Sequence, residues 1–211
     1  DFQVPPSRIA VATPGTVRAP RATGSGNPLR LLAVGSVVPR KAYTVLAEAL
    51  RGIGGEWHLD IVGAARDAAE TKRLTAALEA TGADGKPLST RVTLHGGVDD
   101  KALTAFYARA DLFVMPSLYE GYGMVLAEAM AYGLAVVCTT GGAAAETVPD
   151  TAALKVDPGN ALAMRTALAR AMTDAPLRRR LADAAWSAGQ KLPAWDDTAR
   201  IVAAEIERAA Q

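Results

Sequence analysis

The sequence is short of the residues that build disulfide or metal frameworks. It has one cysteine, Cys138, and two histidines, His58 and His95, in 211 residues. A lone cysteine excludes a disulfide framework and a cysteine-based metal site. It lies in the apolar run Leu134 to Cys138 and reads as a small core residue. Two histidines leave little for a histidine-driven reaction, and His58 reads as a core or edge residue of a strand. No window reaches the about 18 to 20 apolar residues that a membrane span needs, and nothing at the start looks like a secretory leader. Charge of one sign is also missing. Net charge is +1, from 23 basic and 22 acidic residues, so no long-range field draws nucleic acid or an anionic membrane. Any anion site must be local. Cysteine usage fits a reducing compartment. The expectation is a cytoplasmic location, with peripheral placement at the inner membrane face as the alternative, and no nucleic-acid partner.

What is present suits one domain with a substantial core. Half the residues are hydrophobic and 21% are charged, as in globular proteins. The opening Asp1-Phe2-Gln3-Val4-Pro5-Pro6 has no initiator methionine and reads as cut from something longer. Residues 1–29 read as a lead-in, with a short strand expected at Arg8 to Val11 and turn or linker chemistry from Ala19 to Pro28. From Leu29 onward, apolar runs of strand length alternate with amphipathic helix-length segments. Strands are expected at 29–34, 57–62, 91–95, 111–115, 135–139 and 153–156. Helices are expected at 42–50, 65–81, 101–109, 123–131, 142–148, 161–173, 176–189 and 195–210. Strand–helix alternation with short connections means βαβ units. Near-continuous apolar strands such as Leu112-Phe113-Val114-Met115 suit a sheet covered on both faces. The expected fold is a doubly wound (Rossmann-like) parallel sheet flanked by helices over residues 30–190, with a further helical segment at 191–211. In such sheets the ligand lies beyond the carboxyl ends of the strands, which directs attention to loops 35–41, 63–66, 95–100, 116–123 and 139–143.

The strongest local signal runs from Pro116 to Gly133. A strand enters a turn bearing Gly121 and Gly123, and the turn opens a helix. The glycines let a ligand approach the main chain. The first amides of that helix, from Gly123 to Leu126, lack intrahelical partners and, with the helix dipole, make an anion site. Glu120 and Glu128 frame it, eight residues apart. Carboxylates only accept hydrogen bonds, so they suit hydroxyl-rich partners such as sugar and ribose. Acids beside an anion require cations. Arg40 and Lys41, in the loop Gly35-Ser36-Val37-Val38-Pro39-Arg40-Lys41 at the same sheet edge, would clamp a diphosphate. A dinucleotide fingerprint is the rival reading of Gly121-x-Gly123. Its third glycine position holds Leu126, and the strand ending at Thr139 carries no acid to hold a ribose.

The stretch from Glu120 to Gly133 resembles, without a gap, the signature of the group 1 glycosyltransferases, E-G-[FY]-G-[LM]-x-x-x-E-A-M-A-x-G. Val34 to Lys41 is similar to the family's phosphate-clamp loop. His95-Gly96-Gly97-Val98, with Leu103, Tyr107, Ala110 and Asp111, resembles the stretch after its third strand, and Thr139 to Val148 the next. The resemblance covers roughly residues 8–170. It implies the donor-binding half of a two-domain, retaining, metal-independent enzyme that takes a nucleotide-diphosphate sugar. Glu120 would contact the donor sugar, and Arg40 and Lys41 the diphosphate as it leaves. Glu128 would hold the ribose, and His95 and Val98 would border the base. Gly35, Ser36, Gly121, Tyr122, Gly123, Met124, Val125 and Leu126 would line the phosphate path. No cofactor is implied. The acceptor (a glycan, lipid or small molecule) would bind an amino-terminal domain outside this sequence, to which the segment 191–211 would return. Two positions depart from the family pattern. Ser36 stands where many members have arginine, with Arg40 as the replacement charge, and Ala42 stands for the usual glycine. Alternatives within the fold are a nucleotide-sugar epimerase, a phosphorylase or a non-catalytic nucleotide-binding module.

Overall fold

The structure, a computed structural model, describes residues 4–210. Residues 1–3 and 211, the outer ends of the expected lead-in and final segment, lie outside the described residues. Six strands, β1 (Leu29–Val34), β2 (Trp57–Val62), β3 (Val92–Leu94), β4 (Leu112–Met115), β5 (Ala135–Thr139) and β6 (Ala153–Val156), form one sheet in the order β3-β2-β1-β4-β5-β6. Every pairing is parallel. The chain winds outward from β1 to β3, then crosses to β4 and winds the other way. The switch point therefore lies between β1 and β4, the edge at which sheets of this topology bind ligands.

The crossovers explain why the strands are apolar on both sides. On one face, Leu31 and Ala33 of β1 and Leu112 and Val114 of β4 pack with residues of α1 (Tyr43–Leu50), α2 (Ala68–Leu78) and α6 (Ala161–Thr173). On the other, Leu32, Phe113 and Met115 pack with α3 (Asp100–Arg109), α4 (Met124–Ala131) and the end of α7 (Ala175–Gly189). Successive residues of each strand point to opposite faces, so each core consumes every second side chain. Helix starts are set locally: Asp67, Asp99, Asn160 and Asp174 each accept a hydrogen bond from an amide three residues on, capping α2, α3, α6 and α7. A short helix, α5 (Ala144–Thr147), follows β5. The last, α8 (Trp195–Ala209), buries no residue. Among the described residues no helix is long and apolar enough to cross a membrane.

Two expectations change. Arg8 to Val11 forms no strand. Pro6–Arg8 is a 3-10 turn and residues 9–28 join no sheet; β1, the next strand in the chain, is already paired on both sides, by β2 and β4. The lead-in is instead strapped across the helices. Its anchor is Asp111, whose carboxylate accepts from the amide of Ser25 at 3.1 Å, the Ser25 hydroxyl at 2.8 Å, and the amides of Gly26 and Arg30 at 3.2 and 2.8 Å. The helix expected from residue 65 starts at Ala68, because Val37 and Ala65 pair as an isolated bridge and Asp67 is the cap.

The Asp111 anchor makes a testable claim. Asp111→Ala should cost about 1–2 kcal/mol through lost, partly exposed hydrogen bonds. Hydrogen exchange at the amides of Ser25 and Gly26 should accelerate while the strand amides keep their protection. Unchanged exchange at these two amides would show that the strap is held by something else.

Candidate functional site

The loop after β1 and the loop after β4 meet at the switch point. Leu118 donates its amide to the carbonyl of Arg40 at 2.7 Å, which ties the two loops together. The first loop ends in a 3-10 turn, Pro39–Lys41. Lys41 is buried, an unusual place for an ammonium group without a partner. Its partner is Glu120: Lys41 Nζ donates to Oε1 at 2.5 Å, and Arg40 donates to the same oxygen at 3.3 Å. Room for the lysine stem comes from Gly35, where a Cβ would stand 2.7 Å from Lys41 Cε. The hydroxyl of Tyr43 donates to the Gly35 carbonyl at 3.0 Å. Ser36, at the position of the missing arginine, adds no charge. Arg40 carries that charge, with its side chain 55% exposed.

Glu120 is held from all sides. Its amide donates to Gly141 at 3.1 Å, and its carbonyl accepts from Ala143 at 2.9 Å. Gly142 approaches so closely that a Cβ there would lie 2.3 Å from the Glu120 carbonyl oxygen. Ser117 donates to Oε1 at 2.7 Å. Burial pushes the Glu120 carboxyl up, but hydrogen bonds from Lys41 and Ser117 and the charges of Lys41 and Arg40 outweigh it and hold the group below the ordinary Glu range.

The turn then runs through Gly121 and Tyr122 to Gly123, which caps α4 at φ 85° with no side-chain cap. Leu126 donates to the Gly123 carbonyl at 2.8 Å, so its amide is taken. That corrects the expected run of free amides. Within the run from Gly123 to Leu126, the amides of Gly123, Met124 and Val125 have no acceptor among the described residues. They face the α4 dipole's positive end.

Glu128 lies one turn into α4 on the rim of a separate cleft of about 370 Å³. Tyr122, Met124, Glu128, Tyr107 and Asp100 line it, with Trp195 and Thr16 closing the far side. No lysine or arginine lines this cleft, and Arg40, Lys41 and Glu120 lie outside it. Tyr107 donates to Glu128 Oε2 at 2.7 Å and stacks on Tyr132 at 4.9 Å. Burial raises the Glu128 carboxyl above its ordinary range, against the Tyr107 hydrogen bond and with help from the negative charge of Asp100.

His95 and Val98 lie in the loop between β3 and α3. Gly63, after β2, donates to the Gly96 carbonyl at 2.8 Å and joins the two loops. The His95 ring turns inward, onto Phe106 at 4.5 Å and Asp60 Oδ1 at 2.7 Å. Asp60 is buried and gathers His58, Arg30 and Arg109 as well. His58 is therefore not a plain core residue. It joins this cluster, with burial lowering its pKa against the pull of Asp60. The sequence reading gave Ser117, Thr139, Gly142, Tyr107 and Asp60 no role in the site. A signal for Asp60 was present, an acid inside a strand expected to be covered on both faces.

The model of the family described as glycosyl transferases group 1 matches residues 19–187. The chain belongs to the group 1 glycosyltransferases. Among curated members of this family it is 33% identical to the D-inositol 3-phosphate glycosyltransferase of Xylanimonas cellulosilytica over 174 residues, which is 82% of this chain and 40% of that protein. It is 30% identical to the MMP alpha-(1->4)-mannosyltransferase of Mycolicibacterium hassiacum, over 99% of this chain and 50% of that protein. Among solved structures, sucrose-phosphate synthase from Thermosynechococcus elongatus superposes with a TM-score of 0.81 at 28% identity, over 95% of this chain and 53% of the other. The chain thus spans half or less of the length of these two curated glycosyltransferases.

The family pattern also explains the second departure. Ala42 sits at φ 48°, in the left-handed region, where a side chain costs about 1–2 kcal/mol. The family's glycine would sit there without strain. Ala42→Gly should therefore raise stability by up to about 1 kcal/mol, read as a higher melting temperature. A lower melting temperature would mean that the buried methyl outweighs the strain.

The ion pair predicts a pH dependence. Because the folded carboxyl of Glu120 titrates below its ordinary value of 4.5, its contribution is fully present above that value. It is lost as pH falls below 4.5 and on through the folded value. Glu120→Gln should flatten the melting temperature over this window relative to the unchanged chain. Parallel curves would remove the pair from the stability of the fold.

Proposed function

We propose that this chain is the donor-binding domain of a retaining glycosyltransferase, which transfers a sugar from a nucleotide-diphosphate sugar to a hydroxyl acceptor. One observation carries the reading: two cations and one acid converge at the switch point, beside the open amides of α4. A diphosphate at the amides of Gly123, Met124 and Val125 lies within reach of Arg40 and Lys41. Glu128 then meets the ribose across the cleft, and Glu120 meets the donor sugar. The names of the curated relatives, which are glycosyl- and mannosyltransferases, support the reaction class.

In this arrangement the protein's contribution is electrostatic. The bond from the anomeric carbon to the diphosphate oxygen breaks and leaves an oxocarbenium-like sugar. Arg40, Lys41 and the α4 amides neutralise the charge that builds on the departing diphosphate. The acceptor oxygen attacks from the face the diphosphate leaves, and its proton passes to the diphosphate, so configuration is retained. The cations and the helix end fill the neutralising role that a metal ion has elsewhere. Glu120 acts as an acceptor toward sugar hydroxyls and forms no covalent bond. Acceptor binding belongs to a further domain, so this chain alone is expected to bind donor without transferring sugar. A cytoplasmic location fits the same reading.

Calorimetry with UDP-, GDP- and ADP-sugars tests it. The folded chain should bind at least one of them. Lys41→Ala or Arg40→Ala should weaken that binding by about 1.5–3 kcal/mol, roughly tenfold to over a hundredfold. No heat with any of the three nucleotides from a folded sample would sink the reading.

A further inference from the structure

Three donors converge on a single oxygen of Glu120. Lys41, Arg40 and Ser117 all donate to Oε1, and among the described residues Oε2 has no hydrogen-bond donor. Two of these donors have another task in the reading above, because Lys41 and Arg40 serve the diphosphate. A bound diphosphate would compete with Glu120 for both. A carboxylate whose partners are drawn away turns freely, since the torsion about a terminal sp³–sp² bond is broad.

Ser117 is the donor that cannot be drawn away. It is neutral, so a phosphate draws it less strongly than it draws the two cations. It is fully buried, and it sits between the end of β4 and Glu120. Its carbonyl accepts a hydrogen bond from the hydroxyl of Thr139, which is buried at the end of β5. Two adjacent strands of the sheet thus fix its backbone, and packing fixes its side chain.

We propose that Ser117, backed by Thr139, is the positioning residue of Glu120: it keeps Oε1 engaged while the two cations serve the diphosphate, so that Oε2 faces the donor sugar. This rests on the reading that Glu120 meets the donor sugar. A preorganised acceptor needs a support that does not move during the reaction, and a buried hydroxyl on a strand end supplies one. Among the influences on the Glu120 carboxyl, burial is the largest and raises it. The Ser117 hydrogen bond lowers it, ranking after that of Lys41 and ahead of both cation charges.

The test reads Glu120 directly. In the ¹³C-glutamate-labelled chain, the Glu120 carboxyl signal is identified by its loss in Glu120→Gln and titrated by NMR. Ser117→Ala, and Ser117→Cys, which keeps the volume with a much weaker donor, should each raise the Glu120 midpoint by about one pH unit. Ser117→Thr should restore it, and Thr139→Val should shift it in the same direction by less. A merely structural serine would lower the melting temperature and leave the midpoint alone. A folded Ala or Cys variant titrating like the unchanged chain overturns the proposal. This titration needs no ligand, so a chain that binds no sugar nucleotide would sink the proposed function and still report on Ser117. With UDP-glucose or GDP-mannose as the probe that binds, Ser117→Ala should weaken it about tenfold relative to the sugar-free nucleoside diphosphate. An equal loss for both would overturn the link to the sugar.

Discussion

Two buried charges at the switch point hold this site together. Lys41 and Glu120 are both largely removed from solvent, and neither would be tolerable there alone, since an unpaired buried charge costs several kcal/mol. The pair is therefore a constraint on the whole edge of the sheet. It requires the loop after β1 to curl through a 3-10 turn, the strand-like opening at Gly35 to leave space, and the loop after β4 to stay in register with both. The backbone bond from Leu118 to Arg40 and the bridge between Glu120 and Gly142 serve that requirement. Three loops from three strands are locked to one another before any ligand arrives.

The sheet was legible because it rests on local patterns. Runs of strand length, mostly apolar and separated by turn residues, located β1, β2, β5 and β6 to the residue, even where a polar side chain such as Asp60 or Lys155 interrupts the run. The strand expected at Arg8 to Val11 shows the limit of the same argument. Four residues of suitable type form a strand only when they lie along an open strand edge, and this segment pairs with neither edge strand, β3 or β6. Helix boundaries shifted where a single side chain decided them, as Asp67 did for α2.

The site was legible in its charges and not in its supports. Glu120, Glu128, Arg40 and Lys41 announce themselves by residue type near glycine turns. Ser117 and Thr139 do not, because their importance comes from a contact between neighbouring strand ends that the chain order hides. Gly142 likewise looks like any loop glycine until the backbone of Glu120 is seen against it. Asp60 gave a local hint, but its four basic partners come from β1, β2, the loop just after β3 and α3, and only the sheet order brings them together. Chemistry was written in composition, while rigidity was written in topology.

The separation between the cations of the switch point and the cleft at Glu128 has a consequence for orientation. The cleft offers Asp100, Glu128 and tyrosine hydroxyls and no positive charge. A negatively charged group is repelled there and welcomed beside the open end of α4. A molecule with an anionic middle therefore keeps that middle out of the cleft and can lay only an uncharged, hydroxyl-rich arm in it. The asymmetry works like a keyway: charge alone sorts which part enters the cleft before any specific contact is read.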